Sequence, residues 1–186
     1  MKENEAPITT EITQPEFIER VIYIKRVSKV VKGGKRMRIA AGVIVGDGQG
    51  RVGIGHGKSE EVALAVRKAA SRAKKNFMTI AVSGSTIPHP TTGKYGASKI
   101  LLKPAPVGTG LIACPQVRSV LEAVGLKDVY TKSLGSNNAF NLAMATLRGL
   151  SKLRTAQEIA QLRNKPIEYI TGKAVKTNEK TEGNLN

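Results

Sequence analysis

Residues 83–95 read SGSTIPHPTTGKY, a run in which Gly, Pro, Ser and Thr erase the hydrophobic periodicity of helix and strand alike. A chain interrupted in this way is expected to fold as two units, because no regular element is expected to cross the break. The N-terminal unit is expected over residues 15–82, a connector over 83–97 and a C-terminal unit over 98–170. The two ends, 1–14 and 171–186, are polar and short of large apolar groups, and are expected to be disordered tails.

The N-terminal unit is rich in strands. Residues 21–31, 38–45 and 51–57 carry strand patterning, with Gly33-Gly34 and Asp47-Gly48 as the turns between them. A helix follows, with Ser59 expected as its N-cap and Glu60 and Glu61 in the first turn, where the helix dipole favours them. Val62, Ala65, Val66, Ala69 and Ala73 make its apolar stripe, and Arg67, Lys68, Arg72, Lys74 and Lys75 fall on the opposite arc. Residues 80–82 are expected to close the sheet as a short strand. In the C-terminal unit, residues 98–103 and 128–134 read as strands. The helix 115–124 has Pro at its first turn and Gly125 just past its end. Asn137 or Asn138 caps a longer helix to about Leu153, and Thr155 with Glu158 forms a capping box for a last short helix. That order gives a small α/β layer structure. With 40% hydrophobic residues, 4% aromatics and no Trp, the cores are built from Val, Ile, Leu and Ala.

Charge narrows the function. Thirty Lys and Arg against fourteen Asp and Glu give a net charge of +16. Both units share the excess, so a polyanion partner is expected for each. Nucleic acid fits better than a membrane, since no apolar run is long enough to span and neither end reads as a lipidation signal. The acidic start, with Glu3, Glu5 and Glu11, lacks the character of a transit or secretory leader, so the chain is expected to stay where it is made. The cations concentrate at one turn. Residues 25–38 carry Lys25, Arg26, Lys29, Lys32, Lys35, Arg36 and Arg38 around Gly33-Gly34, a tight turn flanked by charge that a phosphate backbone would neutralise. A solvated basic turn is the competing reading.

Enzyme motifs fail on context. Gly48-Gln49-Gly50-Arg51-Val52-Gly53 spells GxGxxG but enters a strand, whereas dinucleotide binding needs a helix N-terminus there. Gly57-Lys58-Ser59 is similar to the end of a phosphate-binding loop, yet the glycine that should open that motif is replaced by Val52. His56 and His89 are far apart in sequence. The only cysteine, Cys114, excludes an internal disulfide and reads as a small residue at a helix start. No catalytic site, metal site or cofactor is expected.

Four segments in order, RVSKVVKGGKRMR (26–38), VGDGQGRVGIGHGKSEEV (45–62), KPAPVGTGLIA (103–113) and LGSNNAFNLAMATLRGL (134–150), are similar to the small-subunit ribosomal protein family five, the S5 family of bacterial and plastid type. The resemblance runs from about Phe17 to Tyr169. It implies an α+β fold: an N-terminal sheet plus one helix, like double-stranded-RNA-binding domains, and a C-terminal α/β domain of the ribosomal protein S5 domain 2-like type. That second fold is shared with small-molecule kinases, and PAPVGTGL is similar to their phosphate loop. The serines expected after it are replaced by Leu111, Ile112 and Ala113, so ATP binding is rejected.

The resemblance further implies a structural role, binding of 16S-type rRNA, and residence in the small subunit of a bacterial cytoplasm or plastid stroma. The resemblance places the loop 28–35 against rRNA, and the charge reading extends the expected contact set, so the rRNA-binding positions expected are Arg26, Ser28, Lys29, Lys32, Gly33, Gly34, Lys35, Arg36 and Arg38 of the hairpin with Arg67, Lys68, Arg72 and Lys75 of the helix. The hairpin loop would lie near the decoding region and the spectinomycin site. Gly110 and Arg118 match positions at a contact with ribosomal protein four, where changes alter decoding accuracy. Protein eight is implied as a neighbour of the C-terminal domain, and mRNA as a neighbour at the channel through which it enters.

Overall fold

A computed structural model describes residues 17–171. The tails expected over 1–14 and 171–186 lie outside the described residues, except that Thr171 ends the last helix.

The N-terminal unit is an antiparallel sheet of β1 (Ile18–Val31), β2 (Gly34–Gly46), β3 (Arg51–Ser59) and β4 (Met78–Thr79), in that spatial order. Lys32 and Gly33 make the first turn, since Val31 already pairs with Gly34 and Gly33 takes φ +94°. At the second turn Asp47 accepts hydrogen bonds from the Gln49 and Arg51 amides at 2.8 and 3.0 Å and pairs with the Arg51 guanidinium at 2.7 Å. The strands outrun their sequence patterns. Ser59 pairs with Ile39 as the last residue of β3, so it is not the expected helix cap, and Glu61 occupies that position without a side-chain bond. Glu60 and Glu61 consequently precede the helix α1 (Val62–Lys75), whose first turn holds no acid. The closing strand is Met78–Thr79, just ahead of the expected 80–82.

The helix α1 lies close on β3 because alternate residues there are glycines. A Cβ at Gly53, Gly55 or Gly57 would run into the backbone of Ala73, Ala69 or Ala65 respectively. Those alanines are fully buried, as the apolar stripe predicts.

The second sheet has the order β5 (Thr91–Tyr95), β6 (Ser98–Pro104), β8 (Val129–Ser133), β7 (Leu111–Ile112). The strand β5 falls inside the expected connector: Pro88, Pro90 and Gly96 around it signal turns, but it pairs fully with β6 from Thr91–Leu102 to Tyr95–Ser98. The parallel pair β7 and β8 is joined by α2 (Pro115–Val124), followed by α3 (Ala139–Leu150), α4 (Ala156–Arg163) and α5 (Ile167–Thr171). The expected caps are present: Gly125 at φ +95° ends α2, the Asn138 side chain accepts the Phe140 and Asn141 amides, and Thr155 accepts the Glu158 amide.

One core spans both units. Ile44, Val52 and Ile54 of the first sheet join Val117, Val120, Leu121 and Val124 of α2 and Ile100, Leu102 and Val129 of the second sheet in a single buried cluster. The layers therefore run α1, first sheet, α2 with α3, second sheet. Each fully buried Val, Leu or Ile in that cluster contributes about 1.5–3 kcal/mol relative to exposure.

Candidate nucleic-acid interface

Beyond the Arg26–Ile39 pair the hairpin has no third strand, because β3 ends opposite Ile39. Residues 27–38 form a two-stranded arm whose side chains are almost all exposed, with Val30 at 72%. Cross-strand register sorts its side chains onto two faces. Lys25, Val27 and Lys29 share one face with Arg36 and Arg38, while Arg26, Ser28 and Val30 share the other with Lys35 and Met37. Lys32 stands at the tip. A cavity of about 360 Å³ opens on the first face, lined by Val27, Ser28, Lys29, Arg36, Arg38 and Lys58. Lys58 was not among the expected contacts; it joins the site because it pairs with Ala40, which is opposite Lys25. Arg36 also meets Glu60 at 3.7 Å, but both side chains are well exposed and such a pair is worth little.

The groove continues along the same face. A second cavity of about 290 Å³ shares Val27 and Lys58 with the first and reaches Tyr23, Lys25, His56 and the start of α3 at Asn138 and Phe140. The Tyr23 hydroxyl lies 2.7 Å from His56 Nδ1, and Phe140 packs edge-on against both rings. Burial, reinforced by the charges of Lys58 and Arg72, pushes the His56 imidazole below the usual histidine range. Burial alone raises the Tyr23 phenol. The resulting floor is aromatic and the walls are cationic.

The helix cations lie elsewhere. Since α1 covers the face of the sheet opposite the groove, Arg67, Lys68 and Lys75 point to solvent on the far side. Arg72 donates to the His56 carbonyl at 2.7 Å, and Lys74 pairs with Glu19 at 2.9 Å over the Phe17 ring. The helix and the arm thus present two basic surfaces back to back.

Gly110 and Arg118 converge on a single loop between β6 and β7. Asp128, buried, accepts the Gly108 and Gly110 amides on one oxygen at 3.0 and 2.9 Å, and Arg118 donates to the Leu111 carbonyl at 3.0 Å. The Gly110 amide first, then the Ser85 hydroxyl and the Gly108 and Thr109 amides, hold the Asp128 carboxyl below the usual carboxylate range. A concavity of backbone N–H groups is an anion site. Here it is filled by the chain's own carboxylate, which leaves no open cradle for a nucleotide phosphate at PAPVGTGL. The Gly57-Lys58-Ser59 motif is equally closed, because all three residues belong to β3 and Gly57 abuts Ala65. Among the described residues no group of three His, Cys, Asp or Glu side chains is placed to hold a metal.

Residues 17–81 match the family model described as ribosomal protein S5, N-terminal domain, and residues 93–163 match the one described as ribosomal protein S5, C-terminal domain. The chain belongs to the ribosomal protein S5 family. Proteins of this family are structural components of the small ribosomal subunit and bind rRNA. The S5 N-terminal match takes in the whole of the first sheet and α1, so it includes the projecting arm. The S5 C-terminal match begins at Gly93 in the middle of β5 and includes the Asp128-anchored loop.

Proposed function

We propose that the grooved face of the arm is the main rRNA-binding surface of this chain. Lys25, Lys29, Arg36, Arg38 and Lys58 contact phosphates there, and Lys32 with Gly33 and Gly34 forms a slim tip that enters folded RNA. The observation that carries this reading is an arm without structural support from a third strand or a helix, three of whose cations, Lys29, Arg36 and Arg38, are gathered by register around one cavity. Cations so placed fix the register of a protein on RNA and read shape more than base order. On the far side of the sheet, Arg67, Lys68 and Lys75 make weaker, sequence-independent contacts, and Arg72 serves chiefly to hold the end of β3. The unit over 15–82 carries RNA recognition. The loop holding Gly110, with Arg118 behind it, meets ribosomal protein four and tunes decoding accuracy; the C-terminal unit meets protein eight, and the arm approaches the mRNA channel. The role is structural, in a bacterial or plastid small subunit.

Salt dependence tests the groove. Replacing Lys29, Arg36 and Arg38 together by Ala removes three cations from one face, so the slope of log affinity for small-subunit rRNA against log salt is expected to flatten by about 0.9 per lost phosphate contact. Replacing Arg26 and Lys35, on the other face, is expected to change it less. An unchanged slope in the triple variant sinks the groove as the binding face.

A further inference from the structure

The second sheet buries only one of its faces. Ile100, Leu102 and Val129 point into the shared core, and register fixes what stands on the other side. Lys94 of β5 lies directly opposite Lys99 of β6, Leu101 lies opposite Lys132 of β8, and Lys103 lies opposite Tyr130. All four lysines are exposed, Tyr130 is 39% exposed, and no outward position of the sheet is acidic. None of these lysines has an ion-pair partner among the described residues.

Like charges directly across a strand pair destabilise a sheet, so the Lys94–Lys99 pair is a local cost within the isolated chain. An anion held over the pair removes that cost. The four cations spread over an area of about 13 by 10 Å, from the rise per residue and the spacing between strands. A lone phosphate would reach one corner of that area, whereas a nucleic-acid backbone, with a charge at every nucleotide, neutralises the whole set at once. The exposed phenol of Tyr130 beside Lys103 offers a flat apolar surface to a ribose or base.

We propose that this outer face of the second sheet is a separate rRNA-binding surface, in which Lys94, Lys99, Lys103 and Lys132 contact phosphates and Tyr130 lies against a sugar or base. The proposal rests on the chain's being an rRNA-binding protein and adds a second, independent place of contact. An acidic protein partner would meet the same lysines, but compact acidic patches call for clustered cations, and these are dispersed across three strands.

The test uses the full chain and small-subunit rRNA. Replacing all four lysines by Gln is expected to flatten the salt slope by about three units or more at 0.9 per contact. It is also expected to remove hydroxyl-radical protections at rRNA positions different from those lost when Lys29, Arg36 and Arg38 are changed. The thermal midpoint of the free variant should equal or exceed that of the wild type, since the opposed lysine charges are gone. The single changes Lys103→Gln and Lys132→Gln, each expected to remove about one unit, keep the test usable if the fourfold variant folds poorly. A wild-type slope and footprint in the lysine variants overturns the second surface, whether or not such a variant loses an acidic protein partner instead. If the wild-type chain itself shows no salt-dependent preference for this rRNA, both this surface and the groove reading fail; if only the groove triple alters binding, the groove reading survives alone.

Discussion

At the scale of single residues, Asp128 anchors a whole loop through one carboxylate oxygen. That oxygen accepts two glycine amides, and it fixes a loop in which Val107, directly before Gly108, is 88% exposed. Arg118 holds the other end of the same loop, so the two positions that resemblance assigned to one interface act through one backbone segment. Substituting Asn keeps an acceptor oxygen, whereas Ala removes it. Asp128→Ala is therefore expected to expose the Gly108 and Gly110 amides to exchange roughly tenfold faster, the effect of losing one hydrogen bond's worth of protection. Asp128→Asn, which keeps an acceptor oxygen but loses the charge, should fall between the wild type and the Ala form, and added formate should partly restore protection in the Ala variant alone. The pH dependence has a definite sign. The folded carboxyl is held low, so its contribution is complete above the ordinary carboxylate range and is lost as pH falls through the lowered folded value. Protection of Gly108 and Gly110 that is identical in the Asp, Asn and Ala forms would show that the loop holds itself. None of this was legible in the sequence, where Asp128 reads only as the start of a strand.

At the scale of elements, local chemistry announced some features and tertiary pairing decided the others. The bounds of α2 were readable from Pro115 and Gly125, and the start of α3 was narrowed to two asparagines, because caps and turns act within a few residues. Ser59 misled for the opposite reason: an isolated serine before a helical stripe is a good cap, but its amide plane was already committed to Ile39 across the sheet. The strand β5 was hidden because Gly93 and Lys94 interrupt the strand formers Thr91, Thr92 and Tyr95, and Pro88, Pro90 and Gly96 crowd the segment with turn signals, so that only the pairing with β6 reveals it. The glycines of β3 were visible, yet as candidate nucleotide motifs; their actual task is to admit α1. Gly55 tests that account, since a Cβ there meets the carbonyl of Ala69 and the amide of Ala73, both backbone. Backbone cannot rotate away, so Gly55→Ala is expected to cost about 1–3 kcal/mol, the range for overpacked cores, in urea unfolding. A loss below about 0.5 kcal/mol, the size of an ordinary surface change, would mean that α1 can lift from the sheet without penalty.

At the scale of the whole molecule, the break at residues 83–95 that divides the sequence does not divide the core. Hydrophobic periodicity shows which face of an element is buried but not what buries it, so the sequence could not reveal that α2 serves both sheets. The join is extensive. Besides the common apolar cluster, the Gly48 and Gly50 amides donate to the carbonyls of Ala123 and Val124 at 3.1 and 2.9 Å, and Arg20 meets Glu122 at 3.5 Å. The basic arm on the first sheet and the basic face on the second are thereby held at a fixed separation, which is the geometry that the two proposed contact surfaces require. In a body joined in this way, damage on one side is felt on the other. Leu121 of α2 is fully buried in the common cluster, and Leu121→Ala is expected to cost about 2–5 kcal/mol. Hydrogen exchange can assign that loss: in a single cooperative body, the amides of β2 and β3 lose protection by the same factor as those of β6 and β8, and urea unfolding remains one transition. Protection that falls in the second sheet while β2 and β3 stay at wild-type values would show two bodies that merely touch, and the arm's position would then be set by the RNA and not by the protein.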